Sequence, residues 1–115
     1  MTKDHTMTLT ELILSTSKIA DNFHKSRSLY SVSHATQAEM GELAEEVSIA
    51  MGDSYKTPGP DGVIGEAVDL LISGLDLIYV HDRNVTEEEL LAVAKPKLEK
   101  WILKIMQANA EGKLR

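Results

Sequence analysis

Hydrophobic residues recur at intervals of three and four along most of the chain, a spacing that places them on one face of an α-helix. Four stretches show this spacing, and turn-forming residues separate them, most clearly in the loop KTPGPDG. The pattern predicts helices over about residues 9–24, 33–51, 63–81 and 86–109. Gly52 marks the end of the second helix.

Two of the predicted helix starts carry capping signals. Thr8 precedes the first helix with Glu11 three residues later, and Thr86 and Glu89 repeat this spacing at the fourth helix. In each pair, the two side chains can bond backbone N–H groups that the first turn leaves unpaired. Pro96 lies inside the fourth segment. Because proline has no N–H, we expect it to kink this helix or to divide it in two.

The fold class follows from the absence of any other periodicity. No stretch alternates hydrophobic and polar residues for long enough to predict a strand, so we expect an all-α bundle of four to five helices. The length of 115 residues suits a single domain over residues 1–115. A chain this short buries only about two-thirds of its unfolded surface, so we expect a second copy to complete the core.

Charge and cysteine content exclude several classes of function. The net charge is −6, which argues against nucleic acid polymers and anionic membrane surfaces as partners. There is no cysteine, which excludes disulfides, thiolate zinc sites and cysteine nucleophiles and fits the cytoplasm. The N-terminal residues lack the apolar segment of a signal peptide. Acidic residues interrupt the longest apolar stretch, residues 63–80, so we expect no membrane span.

Glutamates line one edge of the second predicted helix. Glu39, Glu42 and Glu46 follow the border of its apolar arc, and Glu45 lies further toward solvent. One interpretation is a metal or catalytic site. The other is an ordinary solvated acidic edge, since glutamate is a favoured helix residue.

The third predicted helix is apolar almost all round, which is typical of a buried helix. Its polar residues nevertheless form one narrow stripe: Glu66, Asp69, Ser73 and Asp76. Carboxylates spaced i, i+3 on two helices can reach one shared ion, and oxygen ligands favour Mg²⁺ or Mn²⁺. No histidine has a glutamate three residues before it, which argues against a di-iron bundle. A solvent-facing seam remains the alternative.

The acidic segments resemble those of a known family. The run QAEMGELAEE, residues 37–46, is similar to the E-x-x-E segment of the MazG-like all-α NTP pyrophosphatases. The run GEAVDLLI, residues 65–72, is similar to their E-x-x-D segment. Two flanking runs, FHKSRSL at 23–29 and KLEK at 97–100, resemble stretches of the dCTPase-like members, so the resemblance covers about residues 9–101.

The resemblance implies an activity and a site. Family members hydrolyse a nucleoside triphosphate to the monophosphate and diphosphate with Mg²⁺, which Mn²⁺ can replace. The fold is an α-helical bundle, assembled as a homodimer or homotetramer with the site near a subunit interface. The implied metal ligands are Glu39, Glu42, Glu66 and Asp69. Two alternatives stay open: a non-catalytic helical interaction module on the same scaffold, and a phosphoribosyl-ATP pyrophosphatase.

Further residues are predicted to contact water or substrate. Glu46, or else Glu45, would orient or deprotonate the attacking water. His24 would touch the base or sugar, and Ile49 and Ser73 stand where dCTPase-like members often carry aromatic residues. We therefore expect Ser73 to line the substrate site without a stacking clamp, and a smaller lining could admit a purine. The predicted phosphate contacts are Arg27, Lys56, Lys97 and Lys100.

Overall fold

Four α-helices make up the structure, a computed structural model that describes residues 6–24 and 26–114. They are α1 (Leu9–Phe23), α2 (Leu29–Ala50), α3 (Gly62–His81) and α4 (Glu87–Ala110). No strand occurs within the described ranges, so the all-α prediction is confirmed. The chain divides into two compact units, Met1–Asn84 and Val85–Arg115, and each is described by itself.

Capping boxes begin three of the helices. The predicted boxes at Thr8–Glu11 and Thr86–Glu89 are both present, with each threonine hydroxyl accepting the glutamate N–H at 3.1 Å. α2 begins at Leu29, four residues earlier than expected, because Ser28 and Ser31 form a third capping box. The sequence pattern did not predict this helix start because the third residue of α2, where a capping box usually has glutamate, is Ser31.

Pro96 does not divide the fourth helix. α4 is continuous from Glu87 to Ala110, so of the two expected effects of Pro96, a kink or a division, the division does not occur. Proline removes one backbone donor from the helix, while the turns on both sides keep their own hydrogen bonds. α4 contains no buried residue.

Membrane-spanning segments were considered for every helix in residues 6–24 and 26–114. None of these helices combines the length and the apolar composition that a membrane span requires.

The first unit is organised around α3, against which α1 and α2 both pack. Its buried hydrophobic residues are Ile13 of α1, Val32 of α2, and Tyr79 and Val80 near the end of α3. The composition of α3 is typical of a buried helix, but within this unit it is only partly covered, and Ile64 near its start is 80% exposed. α1 and α2 cover only part of the circumference of this helix.

Four charged side chains tie α1 and α3 to the segments that follow them. Arg27 donates from Nε to Asp21 at 2.9 Å and from both terminal nitrogens to Asp76 at 2.7 and 2.8 Å. Arg83 donates from Nε to Asp21 at 2.6 Å and from Nη1 to the carbonyl of Val80 at 3.0 Å. This Arg27 cluster (Asp21, Arg27, Asp76 and Arg83) fixes the connection between α1 and α2 against α3.

Candidate metal and substrate site

Three carboxylates converge where α2 and α3 pack together. Glu39 of α2 and Glu66 and Asp69 of α3 each offer one oxygen, and these oxygens lie within 4.8 Å of one another. Glu66 and Asp69 are three residues apart, so both point from the same face of their helix. All three side chains are partly buried. We refer to these residues as the acidic trio.

Burial and the crowding of like charges raise the pKa values of Glu39 and Glu66. Burial raises the pKa of Glu39, and the charges of Glu42 and Asp69 raise it further. Burial also raises the pKa of Glu66, with added contributions from the charges of Glu42, Asp69, Glu39 and Glu46. Each negative charge disfavours ionisation of its neighbour, so a bound cation would relieve the repulsion.

One oxygen of the acidic trio lacks a hydrogen-bond partner. Glu66 Oε1 is buried and accepts no hydrogen bond. A buried polar atom without a partner is costly, and a divalent cation is one way to satisfy it. The donor set consists of carboxylate oxygens, which are the ligands that Mg²⁺ and Mn²⁺ prefer. The residues present therefore fit a hard divalent cation.

Glu42, the fourth ligand implied by the resemblance, lies beside the acidic trio without joining it. Its side chain is exposed, and its oxygens are not part of the convergent group. Its charge nevertheless raises the pKa of both Glu39 and Glu66, so it is close to them. The structure thus brings together three of the four predicted ligands and places the fourth at their edge.

Both residues predicted to activate water contact the α2–α3 loop, residues 51–61. Glu45 forms an ion pair with Lys56 in which both side chains are about half exposed. Glu46 is partly buried and accepts the backbone N–H of Gly59 on both carboxylate oxygens, at 3.3 and 3.1 Å. Lys56, a predicted phosphate contact, is therefore held at the surface beside α2.

A cavity of about 430 Å³ shares two residues with the acidic trio. Residues of α1, α2, α3 and the segment before α2 line it, it is open to solvent on one side, and none of its lining residues is aromatic. Its wall combines aliphatic side chains with hydroxyl and charged groups. The lining residues are Leu12, Ile13, Thr16, Ser17, Ala20, Arg27, Ala35, Glu39, Asp69, Ile72, Ser73 and Asp76. The site therefore joins an acidic end to a mostly apolar chamber.

Polar groups inside the cavity are held in place by one another. The hydroxyls of Ser73 and Thr36 lie 2.8 Å apart across α2 and α3. Burial alone would raise the pKa of Asp76, but hydrogen bonds from Arg27 and Ser17, together with the charge of Arg27, outweigh it and leave the pKa lowered. Asp76 is therefore a fixed, ionised acceptor in the wall.

Part of this cavity was predictable from the sequence. The polar stripe of α3 includes Ser73 and Asp76, and both line the chamber. The pairing of Asp76 with Arg27 was missed, since the two residues are 49 positions apart and nothing local connects them. Thr36 was missed because a single threonine on a helix carries no distinctive pattern.

Three predicted substrate contacts are not among the residues that line the cavity. His24 is exposed at the end of α1, where its backbone N–H bonds the carbonyl of Ala20, and it does not line the cavity. Lys97 and Lys100 are exposed on α4, in the second unit. Their assignment to substrate binding stays a prediction from the resemblance.

Three comparisons with known proteins found no relative of the chain. No protein-family model, curated protein or solved structure matches the chain. The resemblance to the MazG-like pyrophosphatases therefore depends on the two acidic segments and their flanking runs.

Proposed function

We propose that the chain is a Mg²⁺-dependent nucleoside triphosphate pyrophosphohydrolase that converts a (d)NTP and water to a (d)NMP and diphosphate. The observation that carries this proposal is the acidic trio, with its unpartnered Glu66 oxygen, next to a mostly apolar cavity. Carboxylates in such a cluster suit a cation, and a cation beside a chamber suits a phosphorylated organic ligand.

Glu39, Glu66 and Asp69 would hold the metal, with Glu42 as a further ligand at their edge. When bound, Mg²⁺ or Mn²⁺ would offset the charge of the triphosphate, activate a water molecule and stabilise the departing diphosphate. The carboxylates themselves repel a triphosphate, so the acidic trio serves the substrate only in its metal-loaded form.

The cavity would take the nucleoside part of the substrate. Aliphatic side chains of α1 and α3 cover one part of it and suit the faces of a base. Without an aromatic lining residue there is no stacking platform, so selection would rely on shape and hydrogen bonds. The ionised Asp76 and the Ser73 hydroxyl are the polar groups available for this selection.

Cationic contacts to the phosphates would come from lysines. Lys56 lies in the α2–α3 loop, which connects the helices that carry the acidic trio. Its ammonium pairs with Glu45 at a half-exposed position and can exchange this partner for a phosphate oxygen. Arg27 is already engaged by Asp76 and Asp21, so its role in this proposal is to shape the cavity.

We further propose a homodimer or homotetramer as the active assembly, with a MazG-like bundle completed by the partner. Large apolar side chains on the helices of the site are exposed, among them Met40 at 56%, Ile64 at 80% and Leu71 at 46%. Exposed apolar surface of this kind marks interaction sites. Light scattering coupled to gel filtration tests it, and a monomer at micromolar concentration would contradict it.

The test of the activity compares wild type with Asp69→Asn and with Asp53→Asn, which removes an exposed carboxylate of the α2–α3 loop that is not part of the acidic trio. We expect diphosphate release that requires Mg²⁺, a loss of about a hundredfold or more in Asp69→Asn, and wild-type rates in Asp53→Asn. Circular dichroism confirms that the variants fold. Full activity of Asp69→Asn would refute the proposal.

Thermal unfolding separates an enzyme site from a non-catalytic module. A ligand that binds only the folded state stabilises it, by about 2.7 kcal/mol at a hundredfold excess over Kd. Wild type should therefore melt at a higher temperature with Mn²⁺, and Asp69→Asn should show no such shift. A wild-type protein whose melting temperature changes with neither Mg²⁺ nor Mn²⁺ would favour the non-catalytic interaction module.

A further inference from the structure

Glu46 holds the α2–α3 loop against α2 through one backbone group. Both of its carboxylate oxygens face the N–H of Gly59, at 3.3 and 3.1 Å. The contact is close enough that a Cβ on residue 59 would lie 3.0 Å from Glu46 Oε2. Glycine at this position therefore lets the loop backbone approach the carboxylate.

The segment between this contact and α3 is short and restricted. Pro58 and Pro60 flank Gly59, and each proline fixes its own backbone φ angle. Asp61 then packs over the first turn of α3, where a Cβ on Gly65 would lie 1.9 Å from Asp61 Cβ. Few free torsions separate Gly59 from α3, so a displacement of the loop would shift the start of that helix.

The start of α3 carries two members of the acidic trio. Glu66 is the fifth residue of the helix and Asp69 the eighth, while Glu39 comes from α2. Glu46 lies on α2 two turns beyond Glu39, and its charge acts on Glu66. The contact between Glu46 and Gly59 thus joins α2 to the part of the loop that leads directly into the start of α3, where Glu66 lies.

We infer that Glu46 is a positioning residue: by holding Gly59 it fixes the start of α3, and with it Glu66, against Glu39. This inference rests on the proposed function, and it assigns Glu46 a role other than the general base that the sequence suggested. The two roles differ in their chemistry, because a positioning residue needs an acceptor oxygen whereas a base needs a group that takes up a proton.

Glutamine at position 46 separates these roles. Its amide oxygen can accept the Gly59 N–H, but the amide cannot serve as a base. Alanine removes both functions. The comparison takes wild type, Glu46→Gln and Glu46→Ala, with Asp53→Asn as a control that removes another carboxylate, from the α2–α3 loop. Two readouts need no substrate: Mn²⁺ affinity by calorimetry, and hydrogen exchange of the Gly59 amide in the metal-free protein.

The expected results differ between the variants. Glu46→Gln and Asp53→Asn should keep Mn²⁺ affinity within about threefold of wild type, and Gly59 should remain protected. Glu46→Ala should bind Mn²⁺ about tenfold more weakly or worse, as loss of a supporting contact does at metal sites, with Gly59 exchanging freely. The pH–rate profile of Glu46→Gln should match that of wild type. If Glu46→Ala does not fold, the glutamine variant and its Gly59 exchange still decide.

Two results would overturn the inference. Glu46→Gln with unchanged Mn²⁺ affinity and a loss of about a hundredfold or more in kcat would identify Glu46 as a base. If Glu46→Ala keeps the wild-type exchange rate of the Gly59 amide and the wild-type Mn²⁺ affinity, the contact fixes neither the loop nor the metal ligands. If wild type itself binds no Mn²⁺, the proposed function fails and the metal-positioning role fails with it, while Gly59 exchange reports separately on the loop contact.

Discussion

Replacing Arg27 with alanine should lower the free energy of unfolding of the first unit and its Tm. The guanidinium donates three hydrogen bonds to Asp21 and Asp76, from two different helices. In Arg27→Ala, both carboxylates keep their partly buried positions and lose this cation. Asp21 still has Arg83, whereas Asp76 keeps only the hydroxyl of Ser17.

The magnitude follows from burial. Removing one partner of a buried ion pair costs about 3–5 kcal/mol, and an exposed pair is worth about 0–1 kcal/mol. The side chains of Arg27 and Asp76 are 15% and 20% exposed, nearer the buried limit. We therefore expect a loss of about 2–3 kcal/mol, which corresponds to about 10 °C in Tm for a chain of this size.

The effect should depend on pH with a defined sign. Hydrogen bonds from Arg83 and Arg27 lower the pKa of Asp21, and the pKa of Asp76 is also lowered from its ordinary value of 3.8. A carboxylate with a lowered folded-state pKa stabilises the fold above its unfolded pKa and loses this contribution as pH falls through the folded value. The difference between wild type and Arg27→Ala should therefore be full at pH 7 and shrink below about pH 4.

Urea denaturation followed by circular dichroism measures this difference. Lys113→Ala is the control, since it breaks an ion pair with Glu111 whose side chains are 71% and 42% exposed. We expect the control to change the free energy of unfolding by less than about 1 kcal/mol. A loss below about 0.5 kcal/mol in Arg27→Ala at pH 7 would refute the reasoning, because the cluster would then be no stronger than a surface pair.

Three further predictions concern the site and the start of α3. Glu66→Gln should raise the Tm of the metal-free protein by a few degrees and abolish the Mn²⁺-dependent shift; a lower metal-free Tm would contradict the crowding of charges. Burial and the repulsion of neighbouring carboxylates raise the pKa values of Glu39 and Glu66 from 4.5, so their ionisation destabilises the metal-free fold. This cost is absent below pH 4.5 and grows as pH rises through the folded values, so the metal-free Tm should rise as pH is lowered from 7 to about 5. Gly65→Ala should lose about 1–3 kcal/mol, because its Cβ would overlap Asp61. Gly74→Ala, which meets nothing within 4 Å, should be neutral or stabilising in the same urea titration, and equal effects would contradict the packing.

Local patterns predicted the helices well where the signal lay within a few residues. The capping boxes at Thr8 and Thr86 were readable because threonine and glutamate stand three positions apart. The start of α2 was placed too late, since Ser28 is capped by another serine. The sequence left open whether Pro96 kinks or divides the fourth helix, and the helix is not divided, because neighbouring turns can maintain a helix around one missing donor.

The site was predictable as far as helical periodicity reaches. Spacing on one helix put Glu66, Asp69, Ser73 and Asp76 on a common stripe, and the structure uses all four at the acidic trio or the cavity. The packing of α2 against α3 decides which glutamate of α2 joins them, and it selects Glu39. That choice depends on tertiary contacts, which the spacing within α2 does not contain.

Contacts made by loops were beyond the sequence pattern. The helical wheel put Glu46 at the edge of the apolar arc, which suited a catalytic base as well as any other role. Its contact with Gly59 depends on the path of the α2–α3 loop, thirteen positions further along the chain. The same holds for Arg27, whose partner Asp76 is 49 positions away.

Hydrolysis of a nucleotide panel tests the central claim most directly. The eight common NTPs and dNTPs would each be incubated with Mg²⁺, with Mn²⁺ and with EDTA, and the products identified by phosphorus NMR. We expect one or a few nucleotides to yield the monophosphate and diphosphate, and only when a metal is present. Two results would contradict the proposed activity: release of inorganic phosphate and a nucleoside diphosphate, or no turnover of any nucleotide by folded, metal-loaded protein.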